Sequence, residues 1–280
     1  MEYKTLNNGV KMPMLGYGVY QVASEECERC VLDALSVGYR AVDTAQAYAN
    51  EEGVGSALKK SGVPRGEVFL TTKVWITDAG EEKAARSIDE SLRKLGTDYV
   101  DLLLIHQPFG DYYGTYRAME KAYKAGKVRA IGVSNFYPDR FIDLANFCEV
   151  TPAVNQVETH VFQQQKVARG VAEKYGTLIQ SWGPFAEGKN GIFTNETLVK
   201  IGKKYGKTAA QTALRFLLQS GVAIIPKSTH KERMAENLDV LNFSLSEEDM
   251  REISALDTGK SLFFSHYDPR TVEWFMSLVR

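Results

Sequence analysis

An α/β protein whose eight parallel strands close into a (β/α)8 TIM barrel is predicted by three features of this sequence. Strand-like and helical segments alternate along the chain in eight strand–helix units. Runs such as Val100-Asp101-Leu102-Leu103-Leu104-Ile105 and Val222-Ala223-Ile224-Ile225 are apolar without alternation, which suits strands buried on both faces of a parallel sheet. Successive apolar runs end in polar, ionisable or aromatic residues: Asp43 with Tyr48, then Lys73, His106, Asn135, Gln156, Trp182 and Lys227. Strands need no such endings to fold, whereas the functional rim of a β/α barrel lies at the carboxyl ends of its strands and requires them.

The elements follow in order. A β-hairpin opens the chain over residues 3–12, turning at the Asn8-Gly9 pair. Strands are expected at 14–20, 41–44, 68–73, 100–106, 130–134, 153–157, 178–182 and 222–226. Helical periodicity marks 24–37, 51–61, 81–95, 115–125, 138–148, 164–174 and 209–219. Further helices at 196–205, 232–240 and 247–256 add extra C-terminal helices to the barrel. No Pro- or Ser-rich linker interrupts the series, so residues 1–280 read as one domain.

Bulk properties exclude several classes of partner. A formal charge of −1, with no run of five like charges, offers no basic field to nucleic acid. The first residues lack a secretion signal, and no segment approaches the roughly 18 apolar residues of a membrane span. A cytoplasmic protein with no membrane partner is expected. Three cysteines cannot build a disulfide framework and read as reduced thiols. Cys27 and Cys30 form a CxxC on one helical face and read as helix packing, and Cys148 reads as core.

Asp43, Tyr48, Lys73 and His106, in this order, resemble the catalytic set of the aldo-keto reductases, NADPH-dependent carbonyl reductases built on such a barrel. Further segments resemble motifs of the same family: Tyr48-Ala49-Asn50-Glu51-Glu52 with Val54-Gly55, Leu104-Ile105-His106, and Gly132-Val133-Ser134-Asn135-Phe136. Asn155-Gln156-Val157-Glu158, Ile225-Pro226-Lys227-Ser228 and Arg233-Met234-Ala235-Glu236-Asn237 continue the likeness over nearly the whole chain, in family order. The resemblance implies reduction of aldehydes and ketones to alcohols by hydride transfer from NADP(H).

The residues themselves suit that chemistry. Reducing a carbonyl requires a hydride on carbon and a proton on oxygen, and a phenol with a pKa of about 10 holds its proton at neutral pH but releases it reluctantly. Lys73 beside Tyr48 is expected to favour the phenolate and lower its pKa, while Asp43 keeps Lys73 charged and directed. His106 can donate a hydrogen bond to the substrate oxygen and stabilise charge developing there. Tyr48 is then the proton donor in reduction and the base in oxidation.

No GxGxxG fingerprint follows an early strand, so a Rossmann site is not expected. By resemblance, Ser134, Asn135 and Gln156 hold the nicotinamide carboxamide, and Trp182 stands where the family commonly stacks a Tyr under the ring, a role that the flat indole can fill. Gly183, Pro184 and Phe185 lie where the family lines the pyrophosphate. Glu187 shares that stretch and is expected to point away, because it would repel phosphate. Lys227, Ser228, Thr229 and Arg233 supply cations and hydroxyls for a 2′-phosphate, which favours NADPH over NADH. Asn237 resembles the family's adenine contact, with Glu236 its neighbour in that role.

Tyr20, Trp75 and Phe109 resemble the aromatic wall of the substrate pocket, and the tail at residues 262–266 can close over it. Gln107 stands where the family often has a Trp, making the pocket more polar. Short segments after Phe109 and Trp182 argue for an open pocket suited to small aldehydes, dicarbonyls or keto-sugars rather than large steroids. Two other classes stay open. A lyase could use Lys73 for Schiff-base chemistry, although Asp43 would keep the amine protonated. A non-catalytic sensor could bind NADPH and couple it to a partner. The expected species is a metal-free monomer or weak oligomer acting on a small-molecule carbonyl, with ordered cofactor and substrate binding.

Overall fold

The computed structural model describes residues 1–279. Strands β1 (Tyr3–Thr5) and β2 (Lys11–Pro13) pair antiparallel, with Thr5 opposite Lys11. The loop between them is wider than a two-residue turn: Leu6 N donates to Val10 O at 2.9 Å, and Gly9 adopts φ +86°. Asn8 Nδ2 donates to Arg129 O at 2.9 Å and Asn7 Nδ2 to Pro152 O at 3.3 Å, on the segments that enter later strands. The hairpin therefore covers the amino-terminal end of the barrel, away from the rim.

Eight parallel strands form the second sheet: β3 (Tyr17–Gly18), β4 (Ala41–Asp43), β5 (Phe69–Val74), β6 (Leu102–Ile105), β7 (Ile131–Ser134), β8 (Val154–Glu158), β9 (Leu178–Trp182) and β10 (Ala223–Ile224). Each pairs with the next in sequence. Closure comes from Leu15 bridging to Ile224, with Gly16 N on Ile224 O at 2.9 Å and Ile224 N on Met14 O at 2.8 Å. A Cβ on Gly18 would stand 2.9 Å from Ile225 O, so glycine is what lets β3 approach the segment after β10. Leu102, Leu103 and Leu104 are all fully buried, as strands covered on both faces require, and each such side chain contributes about 1.5–3 kcal/mol of burial.

Eleven helices surround the barrel: α1 (Ser24–Val37), α2 (Glu51–Lys60), α3 (Glu81–Leu95), α4 (Tyr112–Lys124), α5 (Pro138–Phe147), α6 (Lys166–Lys174), α7 (Glu196–Tyr205), α8 (Ala209–Gln219), α9 (Lys231–Leu238), α10 (Glu247–Ser254) and α11 (Pro269–Ser277), counted among the described residues. Helical spacing puts Ala84, Ile88, Ser91 and Leu95 of α3 on one buried face. A Cβ on Gly55 of α2 would lie 2.5 Å from Leu95 O, so these two helices touch backbone to backbone. Cys27 and Cys30 are buried on α1, as expected, whereas Cys148 at the end of α5 is only half-buried.

The start of one helix and the presence of another differ from expectation for local reasons. Helix α4 starts at Tyr112, not 115, because the Asp111 side chain accepts from Gly114 N at 2.8 Å and caps the earlier turn. Helix α11 was not anticipated, although Asp268 accepts from Arg270 N at 3.0 Å and Pro269 occupies its first position. Among the described residues no helix is long and apolar enough to cross a membrane.

Candidate active site

The carboxyl ends of the strands gather the predicted residues at one rim. Asp43 ends β4, Lys73 lies near the end of β5, His106 follows β6, Ser134 ends β7, Gln156 lies in β8 and Trp182 ends β9. Tyr48 reaches the rim on a one-turn 3₁₀ helix, Gln46–Tyr48. That turn is tied down at both sides. Thr44 donates to Asn50 Oδ1 at 2.7 Å and Asn50 donates to Val19 O at 3.0 Å, while Gln46 accepts from Trp75 N at 2.8 Å and donates to Ser91 Oγ at 3.0 Å.

Lys73 is fully buried beneath Tyr48. Its three N–H bonds are directed to Asp43 Oδ1, Thr44 O at 2.9 Å and Tyr48 Oη at 3.4 Å. The second Asp43 oxygen accepts from Gln156 Nε2 at 2.8 Å, which also donates to Gln180 Oε1 at 2.8 Å. Burial pushes the Lys73 pKa down, and the Asp43 carboxylate opposes that push.

The expected acidification of Tyr48 is corrected here. Burial, reinforced by the Asp43 charge and by Tyr20, raises the phenol well above its usual 10.0. The ammonium lies at the long end of hydrogen-bond range and Asp43 answers its charge, so desolvation prevails. Tyr48 is held protonated.

His106 packs edge-on between Tyr48 at 5.4 Å and Trp75 at 4.9 Å between ring centroids. Burial, followed by the Lys73 charge, holds its imidazole well below 6.5, hence neutral at neutral pH. Nδ1 is buried without a partner among the described residues. Nε2 is not enclosed in this way, and the ring lines the cavity, so Nε2 is the nitrogen a ligand can reach. A neutral ring avoids burying an unpaired donor when its proton sits on Nε2.

Asn135 adopts φ +63°, a left-handed conformation that Asn tolerates better than most residues. Its Nδ2 donates to His106 O at 3.0 Å and to Ser134 Oγ at 3.1 Å, and its Oδ1 accepts from Trp182 Nε1 at 2.8 Å. Ser134 Oγ donates to Gln156 O at 2.8 Å. Strands β7, β8 and β9 are thus locked together at the rim.

A cavity of about 670 Å³ opens over this network. It brings together Tyr20, Asp43, Tyr48, Trp75, His106, Ser134, Asn135, Gln156, Trp182, Gly183, Pro184, Phe185 and Lys227. Ser228, Thr229, Arg233, Glu236 and Asn237 do not line it; they continue from its Lys227 end through α9. There Ser228 Oγ accepts from His230 N at 3.1 Å, Glu236 accepts from Thr208 Oγ at 2.9 Å, Arg233 is exposed and Asn237 is buried.

Two expectations change. Phe109 stands one layer behind the wall, packed on Phe275 at 5.1 Å and stacked on His266 at 5.7 Å, because the chain turns inward after Gln107. Glu187 does not turn away but lies on the cavity wall, in a stretch where Ala186, Glu187 and Asn190 all have positive φ. The sequence reading missed Phe193, Trp274 and Phe275, which also line the cavity. The Asp268-Pro269 start of α11 was the available signal for the last two. The tail at 262–266 does close over the cavity through Phe263 and Phe264. Glu158 anchors it, accepting from Leu262 N at 2.9 Å and Ser261 Oγ at 2.5 Å.

Comparison with known proteins bears on the family and the fold. Residues 12–258 match the profile of the Aldo/keto reductase family. The chain is 46% identical over 254 residues to the glyoxal reductase of Bacillus subtilis (strain 168), covering 90% of this chain and 91% of that one. Its fold is similar to an aldo-keto reductase from a deep-sea metagenome library, with TM-score 0.92, 42% identity and coverage of 95% and 98% of the two chains. It is also similar to the Bombyx mori aldo-keto reductase crystallised with NADP, with TM-score 0.88, 31% identity and coverage of 92% and 94%.

Proposed function

This chain belongs to the aldo/keto reductase family, and from that premise we propose that it reduces small aldehydes, dicarbonyls or keto-sugars with Tyr48 as the proton donor. It is an NADP(H)-dependent oxidoreductase acting on carbonyl groups. The observation that carries the assignment of roles is the Tyr48 hydroxyl, 3.4 Å from a buried ammonium and beside a neutral imidazole, on the wall of the aromatic-lined cavity.

The residues present suit a nicotinamide dinucleotide. Trp182 is held by its Nε1 bond to Asn135 and lines the cavity with its ring. Ser134, Asn135 and Gln156 offer hydroxyl and amide groups beside it. Gly183, Pro184 and Phe185 continue the wall, and Lys227 lies at the end from which Ser228, Thr229, Arg233, Glu236 and Asn237 extend. When bound, the reduced nicotinamide supplies a hydride to the carbonyl carbon.

His106 donates from Nε2 to the substrate oxygen and orients it. Tyr48 Oη, kept protonated by burial, passes its proton to that oxygen as negative charge develops there. Lys73 stabilises the phenolate left behind, and Asp43 holds the ammonium in place. Tyr20 and Trp75 supply the flanking apolar wall. All three Lys73 N–H bonds face acceptors, which suits an ammonium and leaves no lone pair for Schiff-base chemistry. The same reading treats residues 1–280 as one domain, active in the cytoplasm as a monomer or weak oligomer; its cysteines are all free thiols.

Tyr48→Phe is expected to lower kcat by about 10²- to 10⁴-fold while leaving cofactor quenching of tryptophan fluorescence nearly intact. Turnover by the variant at the wild-type rate would remove Tyr48 from the mechanism.

A further inference from the structure

Gln107 follows His106, and its side chain carries chemistry that proton transfer does not use. It is only 6% exposed, yet it lines the cavity. Its Oε1 lies 2.7 Å from Nε2 of His266, in the segment leading into α11. His266 is buried, stacked on Phe109 at 5.7 Å and on Phe275 at 5.9 Å, with Tyr137 edge-on at 5.2 Å.

The proton of this pair can be placed by chemistry. Burial, with the nearby Arg140 charge, pushes His266 down to about 4, so the neutral ring carries one N–H. His266 Nδ1 is buried with no partner among the described residues. A proton there would bury an unpaired donor at a cost of about 1–3 kcal/mol, whereas a proton on Nε2 is donated to the Gln107 carbonyl. The carbonyl of Gln107 is thereby committed. Its amide Nε2 makes no hydrogen bond among the described residues and is not enclosed.

We propose that His266 positions Gln107 as an N–H donor to the substrate, and that this donor selects carbonyl compounds with a second oxygen on the carbon next to the reacting one. A 1,2-dicarbonyl places one oxygen before Tyr48 and His106 and offers the other to Gln107. A simple aldehyde of the same length leaves the amide unanswered. The inference rests on the reading that Tyr48 and His106 receive the reacting oxygen. It deepens that reading by naming a substrate class and two residues, one in contact with substrate and one acting through it.

The test compares kcat/KM for methylglyoxal with that for propanal, as a ratio within each protein, so that differences in hydration between the aldehydes cancel. Gln107→Met keeps the side-chain length without the amide, and His266→Phe keeps the ring stack without the N–H. In both, the ratio is expected to fall by about tenfold relative to wild type, the worth of one hydrogen bond. His266→Gln restores a side-chain N–H and is expected to bring the ratio back to within about threefold of wild type. An unchanged ratio in folded Gln107→Met overturns the proposal, as does an equal loss on both substrates. Should His266→Phe not fold, Gln107→Met still decides. A wild-type protein that reduces neither compound overturns the underlying reading; one that reduces propanal with an unaltered ratio in the variants overturns only the selection by Gln107.

Discussion

Asp43 and Lys73 are one pair on which both stability and the proposed chemistry depend. Both side chains are almost fully buried, at 4% and 0% exposure, so neither charge has water to fall back on. Removing one partner strands the other, at a cost of about 3–5 kcal/mol. Lys73→Met is therefore expected to lower the urea midpoint markedly, leaving Asp43 with Gln156 as its remaining side-chain donor. The double variant Asp43→Asn with Lys73→Met keeps an acceptor for Gln156 and is expected to recover at least half of the loss without recovering turnover. A double variant no more stable than the single would show that repacking, not the stranded charge, sets the cost. The sequence made these two residues legible as a pair because both end apolar strands. It did not reveal that Asp43 would cancel the ammonium's influence on Tyr48, since that balance depends on distances of a few ångströms.

At the scale of elements, the strands were legible in outline and their ends were trimmed by the ladder. The 14–20 run pairs as β3 only over Tyr17–Gly18, because neighbouring residues are spent on closure at Leu15 and on the turn carrying Tyr20. Of the proposed phosphate-binding group, Lys227 lines the cavity, whereas helix α9 carries Arg233 outside it, exposed. If Arg233 contacts the 2′-phosphate, Arg233→Met is expected to lower kcat/KM for NADPH by about tenfold or more and to change NADH little, since a charged hydrogen bond contributes about 1.5–3 kcal/mol. Equal losses with both cofactors would assign Arg233 to the shape of α9 instead. Helix α11 was illegible as a wall because its contribution depends on the Glu158 tether and on His266, both set by residues more than a hundred positions away in sequence.

For the whole molecule, buried neutral histidines tie stability to pH. His106 and His266 have folded-state pKa values below 6.5, His266 at about 4, whereas in the unfolded chain both titrate near the ordinary value. Above that value neither state binds the extra proton and nothing is gained or lost. As pH falls below 6.5, the unfolded chain takes up protons that the native state refuses, so stability declines until the folded groups protonate. For His266 the window closes at about pH 4, and the accumulated loss is about 3 kcal/mol. Melting temperatures between pH 7 and pH 4 are expected to fall less steeply for His266→Phe than for wild type. Parallel curves would show that this histidine does not titrate out of step with the unfolded chain.

Alternation of apolar runs with helical periodicity, and the polar residues that end those runs, determined the barrel, its functional rim and the membership of Asp43, Tyr48, Lys73, His106, Ser134, Asn135, Gln156 and Trp182 in it. These are local signals: burial on both faces of a strand and a chemical ending are written in consecutive residues. Only the tertiary structure decided that Phe109 stands behind the wall, that Glu187 faces the cavity, and that His266 meets Gln107. Those outcomes depend on where the chain turns after each strand and on which distant segment packs there. Desolvation and pairing act through space, without regard to separation along the chain.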